Sequence, residues 1–181
     1  MTEPDPAELE LDAARRRYPV GDHVRGKVTL IPRPGTIGLF VDLGGPPTGF
    51  VDVVHLPRSA GQWPAVGTVT DFEVLQHRHH QVRLWPLDQA FRSNTADFWR
   101  TEPEWRAVRH RYPAGSEVIA EITHVFPSDR EYVVTFDGVW SVLAWTGAPP
   151  VVGATARFVV DRHLDATRRV LLRSSSAAPK P

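Results

Sequence analysis

Apolar and polar positions alternate through Val24, Gly26, Val28 and Leu30, with Arg25, Lys27 and Thr29 between them. A period of two sends successive side chains to opposite faces, so this run predicts a strand with one apolar face. Comparable runs predict strands at 36–43, 49–54, 68–76 and 81–85, then at 117–126, 130–136, 139–145, 155–161 and 168–173. Gly44-Gly45-Pro46-Pro47 reads as a turn in the first set, and Asp137-Gly138 as a tight hairpin in the second.

A helix is predicted before each set. Residues 7–17 place Glu8, Glu10 and Asp12 early and Arg15, Arg16 and Arg17 late, in the sense that suits the helix dipole. Thr101-Glu102-Pro103-Glu104 reads as a capping box with proline in the first turn, and Arg109-His110-Arg111 closes that helix. Pro19 and Pro113 prevent either helix from continuing.

The two sets are copies. Arg17-Tyr18-Pro19-Val20-Gly21 returns as Arg111-Tyr112-Pro113-Ala114-Gly115, 94 positions later, and the register continues through Val24/Val118, Val28/Ile122 and Thr29/Thr123. Farther on, Pro64-Ala65-Val66-Gly67 returns as Pro150-Val151-Val152-Gly153, with Phe72/Phe158 and Val74/Val160 behind it, now 86 positions apart. Copy two is therefore about eight residues shorter in a connecting loop, where deletions are tolerated. Five short strands with one apolar face close to hide their edges, and the small five-stranded solution is the OB barrel. The predicted fold class is mainly β, two tandem five-stranded OB-fold barrels, each preceded by a short helix. The divisions are an N-terminal helix (1–18), a first barrel (19–87), a helical linker (88–112), a second barrel (113–173) and a polar tail (174–181) expected to be disordered. In the linker, Phe98, Trp99 and Trp105 are expected to dock the helix between the barrels.

Charge and composition narrow the function. Lys and Arg total 21, as do Asp and Glu, which weighs against a protein held to nucleic acid mainly by neutralising phosphates and leaves recognition by stacking open. With no Cys there is no disulfide and no thiolate zinc site. The first ten residues are acidic and proline-containing, unlike a signal peptide, and no apolar run is long enough to span a bilayer, so a cytoplasmic location is expected. No phosphate-cradling loop, nucleophile elbow or His-Glu-x-x-His occurs, so the chain reads as a binding protein and not an enzyme, with no cofactor.

Gly21-Asp22-His23-Val24-Arg25-Gly26-Lys27-Val28, then Gly38-Leu39-Phe40-Val41-Asp42-Leu43-Gly44, then Gly49-Phe50-Val51, resembles the S-one-type RNA-binding domain, an OB module first named from a ribosomal protein. Val66-Gly67-Thr68-Val69 and Val82-Arg83-Leu84 are similar to its last two strands; the resemblance spans about residues 19–87, and the second copy joins it only through the repeat. It implies single-stranded RNA as ligand, held on the barrel face by two aromatics around the strand-two glycine, a strand-three histidine and polar or basic residues near the last hairpin. Phe40 matches the second aromatic, while Ile37 stands at the first, Asp52 at the histidine, His77 where an acidic residue is common and Gln81 where Arg is common.

Two readings of the candidate residues stand. Phe40 on the outer face of strand two, beside Arg25 and Lys27, forms either a base-stacking platform or a packing contact under a neighbouring element. His77-Arg78-His79-His80 reads as a solvent-facing turn whose His77 and His80 meet phosphate; with neither Cys nor a nearby carboxylate it makes no metal site. In copy two, Tyr132, Phe136, Trp140 and Trp145 divide between core and surface, with Tyr132 and Trp140 the candidates for contacting a base. The alternative function, favoured by the neutral charge, Ile37 and Asp52, is a protein-interaction or regulatory adaptor that kept the barrel and lost its RNA chemistry.

Overall fold

The computed structural model describes residues 6–93 and 100–175. The chain divides into two compact units, Met1–Thr95 and Ala96–Pro181. Among the described residues no helix is long and apolar enough to cross a membrane. Phe98, Trp99 and residues 176–181 of the tail lie outside the described residues.

In the first unit α1 (Pro6–Arg17) leads into β1 (His23–Leu30), β2 (Gly38–Asp42), β3 (Gly49–Asp52), β4 (Val69–Arg78) and β5 (Gln81–Pro86). The strands close in the order β1-β2-β3-β5-β4, antiparallel throughout except for the parallel pairing of β3 with β5. This is a five-stranded OB-type barrel. Its interior is filled by Val28, Leu39, Val41, Phe72, Val74, Val82 and Leu84, all without exposed surface. Gly38 is held at φ +137°, and a Cβ there would run into the Val51 carbonyl, so the tight β2–β3 approach requires glycine.

The second unit consists of α2 (Glu102–Arg111), β6 (Glu117–Phe126), β7 (Glu131–Phe136), β8 (Val139–Ala144), β9 (Thr155–Leu164) and β10 (Arg169–Ser174). Its sheet runs β10-β9-β6-β7-β8, the same order opened between the third and fifth strands. There β8 and β10 lie side by side, and the Ser141 hydroxyl accepts the Leu172 N–H at 3.2 Å. The α2 capping box forms as read: the Glu104 carboxylate accepts the Thr101 backbone N–H at 2.7 Å and its hydroxyl at 2.8 Å.

The repeat is written in the backbone hydrogen bonds. Tyr18 N–H donates to the Ala14 carbonyl and Tyr112 to that of Val108; Gly21 donates to Val74 and Gly115 to Val160; Gly67 donates to Val28 and Gly153 to Ile122. The bulges repeat as well, after Val28 and after Ile122 in the first strands, and between Val74 and Gln76 matched by Val160 and Arg162 in the fourth.

These bulges explain one departure from the sequence pattern. Leu30, expected on the apolar face of β1, is 53 % exposed, because the extra residue after Val28 reverses the alternation. Of the three linker aromatics, Trp105 is the one among the described residues. Trp105 is 1 % exposed and belongs to the core of the second unit with Ile122, Val134 and Phe158; its indole N–H donates to Asp165 at 2.8 Å.

Candidate functional site

Strand register places Leu30, Phe40, Phe50, Arg83 and Gln76 in one row across the outside of the first barrel, one residue from each strand. The alternation in β2 is as read from sequence: Leu39 and Val41 are buried inside, Phe40 and Asp42 turn outward. Phe40, half-buried, meets Phe50 edge to face, with ring centroids 5.1 Å apart and planes at 62°. The Arg83 guanidinium lies over the other side of the pair, 4.6 Å from the Phe50 ring centroid. Phe50 is 6 % exposed yet stands outside the interior cluster, covered by its two neighbours in the row. Phe40 thus both packs and presents a surface, supported from below by a buried ring.

The charges around the row are mixed. Arg83 lies 4.0 Å from the carboxylate of Asp52, which also accepts the Val54 N–H at 3.1 Å and so caps the short 3-10 turn Val53–His55. Arg25 is exposed but sits 3.3 Å from Asp71, its register partner on β4. Lys27 is exposed and stands opposite Asp42, one rung from Phe40. A polar hollow of about 220 Å³ adjoins the row, bordered by Phe50, Asp52, His55, Arg78, His79 and Arg83.

The histidine cluster is divided: His79 and His80 form the expected turn, and His77 does not. Strand β4 continues to Arg78, and only His79 and His80 form the turn, with φ of +54° and +57°. Two left-handed residues joining antiparallel strands match the twist of a tight hairpin. His77 pairs with Val82, whose side chain is interior, and so turns inward as well; it is 2 % exposed and does not face solvent. His77 and His80 border a cavity beneath α1, while His79 borders the hollow beside Arg83. Neither His77 nor His80 is brought to Phe40.

In the second unit Tyr132 is a core residue, 6 % exposed, because β7 turns Tyr132, Val134 and Phe136 inward together; burial pushes its hydroxyl pKa up. It therefore does not offer the stacking surface expected of it. Trp140 faces out, partly exposed, with the buried Arg169 guanidinium 5.3 Å from its ring centroid. Trp145 packs against the core, 6.2 Å from Tyr132. By register the positions of Leu30, Phe40 and Phe50 are taken here by His124, Val133 and Val142, so the aromatic row is not duplicated.

Phe50 and Arg83 are the site residues that sequence reasoning missed. Phe50 carried a signal, an aromatic between Gly49 and Val51 in the strand after Phe40. Arg83 carried none, since only the parallel β3–β5 closure sets it against Phe50.

No protein-family model matches the chain, and no curated protein matches it in sequence. Among solved structures it is similar to a multidomain protein with nucleic acid binding domains from Streptococcus pneumoniae TIGR4, at 15 % identity and a TM-score of 0.31, over 87 % of this chain and 52 % of that one. It is also similar to GSP13 from Bacillus subtilis, at 18 % identity and a TM-score of 0.35, over 54 % of this chain and 78 % of that one. The chain spans about half the length of the first of these.

Proposed function

We propose that the first barrel binds single-stranded nucleic acid, RNA in particular, without catalysis. The observation that carries this reading is the outward stack of Phe40, Phe50 and Arg83 across β2, β3 and β5. A base laid on Phe40 would gain ~1–3 kcal/mol from stacking, independent of sequence, because every base has a π-face. On this reading Arg83 and Lys27 would meet phosphate or a base edge beside the ring, while Arg25 is largely offset by Asp71. Trp140 is the one sequence candidate of the second barrel that still offers an outward ring.

Fluorescence anisotropy with short single-stranded RNA and DNA at two salt concentrations tests the proposal. With Arg25 beside Asp71 and Arg83 beside Asp52, the expected salt slope is shallow, on the order of −0.7 per phosphate for one or two phosphates. Phe40→Ala is expected to abolish most of the binding. A preference for RNA over DNA of the same sequence would mark contacts to the 2′-hydroxyl. The adaptor reading is favoured by the compensation of Arg25 by Asp71 and by the aliphatic Val133 and Val142 in the second barrel. It prevails if neither nucleic acid binds at tens of micromolar in low salt, a threshold on the order of usual non-specific affinities.

A further inference from the structure

The two copies differ in how the helix meets its barrel. Helix α2 seats Trp105 and Val108 against the second barrel, both in contact with its core. The shared hydrogen bonds of Tyr18 and Tyr112 align α1 with α2, so that Leu11 stands where Trp105 stands and Ala14 where Val108 stands. Both replacements are smaller. The first unit has a cavity of about 400 Å³ at this place, bordered by Leu11, Ala14, Arg17, Pro46, His77 and His80, within the size range of ligand pockets. The strand residues match too. His77 precedes the hairpin in β4 as His163 does in β9, each paired with an interior valine of the following strand, Val82 and Val170. In the second unit His163 meets the Trp105 ring edge to face at 5.7 Å.

We infer that the cavity beneath α1 receives the indole of a tryptophan from a partner polypeptide, supplying in trans the ring that Trp105 supplies in cis. The second unit shows how an indole is held between such a helix and hairpin: ring against helix and histidine, N–H donated to the turn, where Asp165 takes it. In the first unit that turn is His79-His80; His79 holds the position of Asp165 but borders the hollow beside Arg83, and His80 is the turn residue that borders the cavity. Arg17 borders it at the C-terminal end of α1, where the helix dipole is negative and two further arginines, Arg15 and Arg16, add positive charge. Glu10 borders it farther up the helix. Acidic residues flanking the tryptophan fit the arginine end. A nucleobase also has a flat ring, but its phosphate and sugar do not reproduce what Trp105 shows. This site shares no residue with the Phe40 row, so its existence is independent of nucleic-acid binding.

The test is titration of the 15N-labelled full chain with three blocked tripeptides, Asp-Trp-Asp, Lys-Trp-Lys and Asp-Ala-Asp, and with adenosine monophosphate. The Asp-Trp-Asp peptide is expected to shift the backbone amides of Leu11, Ala14, His77 and His80 saturably, with a Kd on the order of 1 mM for so small a ligand. Lys-Trp-Lys is expected to bind several-fold more weakly and Asp-Ala-Asp to leave these amides unmoved. Leu11→Trp, which copies the second unit, is expected to abolish the shifts and raise Tm. Ala14→Val, a milder filling of the same space, gives the same readout should Leu11→Trp not fold. Absence of saturable shifts with either tryptophan peptide, equal binding of the lysine-flanked one, or tighter binding of adenosine monophosphate at these amides would each overturn the inference.

Discussion

Phe40 rests edge-on against Phe50 with 5.1 Å between ring centroids, so a half-buried, outward ring of the first barrel is fixed by one that is almost wholly covered. The two rings have different jobs, and substitution separates them. Phe50→Ala removes the support and is expected to lower unfolding free energy by about 2–4 kcal/mol, near the range for buried phenylalanine. Phe40→Ala is expected to cost less stability than Phe50→Ala, because its ring is already partly in solvent, while weakening single-stranded RNA binding by roughly 5–150-fold. Urea unfolding and anisotropy on the same two variants check both statements.

Asp52 sets a limit on the proposed nucleic-acid face. Its carboxylate lies 4.0 Å from Arg83 and caps the Val53–His55 turn through the Val54 N–H. Asp52→Asn keeps an oxygen for the cap and removes the charge. It is expected to raise RNA affinity about 2–5-fold at low salt, with the gain fading as screening increases, and to leave Tm within a few degrees. A fall in affinity would mean that the carboxylate orients Arg83 for binding.

Trp105 joins α2 to the second barrel through a buried ring and a hydrogen bond to Asp165. Trp105→Ala is expected to destabilise that unit by ~3–5 kcal/mol. Asp165→Ala breaks only the polar contact and is expected to cost about 0.5–1.5 kcal/mol. Chemical unfolding followed by tryptophan fluorescence distinguishes the two magnitudes.

Asp137 has its carboxyl pKa lowered, first by the Tyr112 hydroxyl at 2.9 Å and then by Arg111; Glu104 is lowered chiefly by the Thr101 backbone N–H. A carboxylate with a depressed folded pKa contributes its stability above the unfolded pKa and loses it as pH falls through the folded one. These two carboxylates are therefore expected to withdraw their contribution progressively as pH falls from the ordinary carboxylate range towards their lowered folded values. Asp137→Asn is expected to lower stability at neutral pH and flatten that acid limb, as thermal unfolding from pH 7 to 2 would show.

Alternation, caps and repeated prolines carried both α-helices and all ten strands of the described residues into view, because each is a local property of a few residues. Direction was lost wherever a bulge or hairpin shifted the period by one. Leu30 turned outward after the β1 bulge, and His77 turned inward because its strand continues through Arg78. Phe40 was legible as an outward aromatic, but its partners were not: Phe50 and Arg83 meet through closure of a ring, which no stretch of sequence encodes locally. Tyr132 was misplaced for a related reason, since alternation gave the faces of β7 without saying which one the barrel would enclose.

The seam between β8 and β10 has a mechanical consequence. A ring closed by backbone pairing on every side opens only by breaking strand from strand, whereas the second unit is clasped at one side by the Ser141 hydroxyl on the Leu172 amide. Its final strand, held by β9 on the other side, is therefore expected to part from β8 more readily than any strand leaves the closed barrel. Amide exchange at Leu172 is expected to be accelerated by Ser141→Ala, which would expose the clasp giving way.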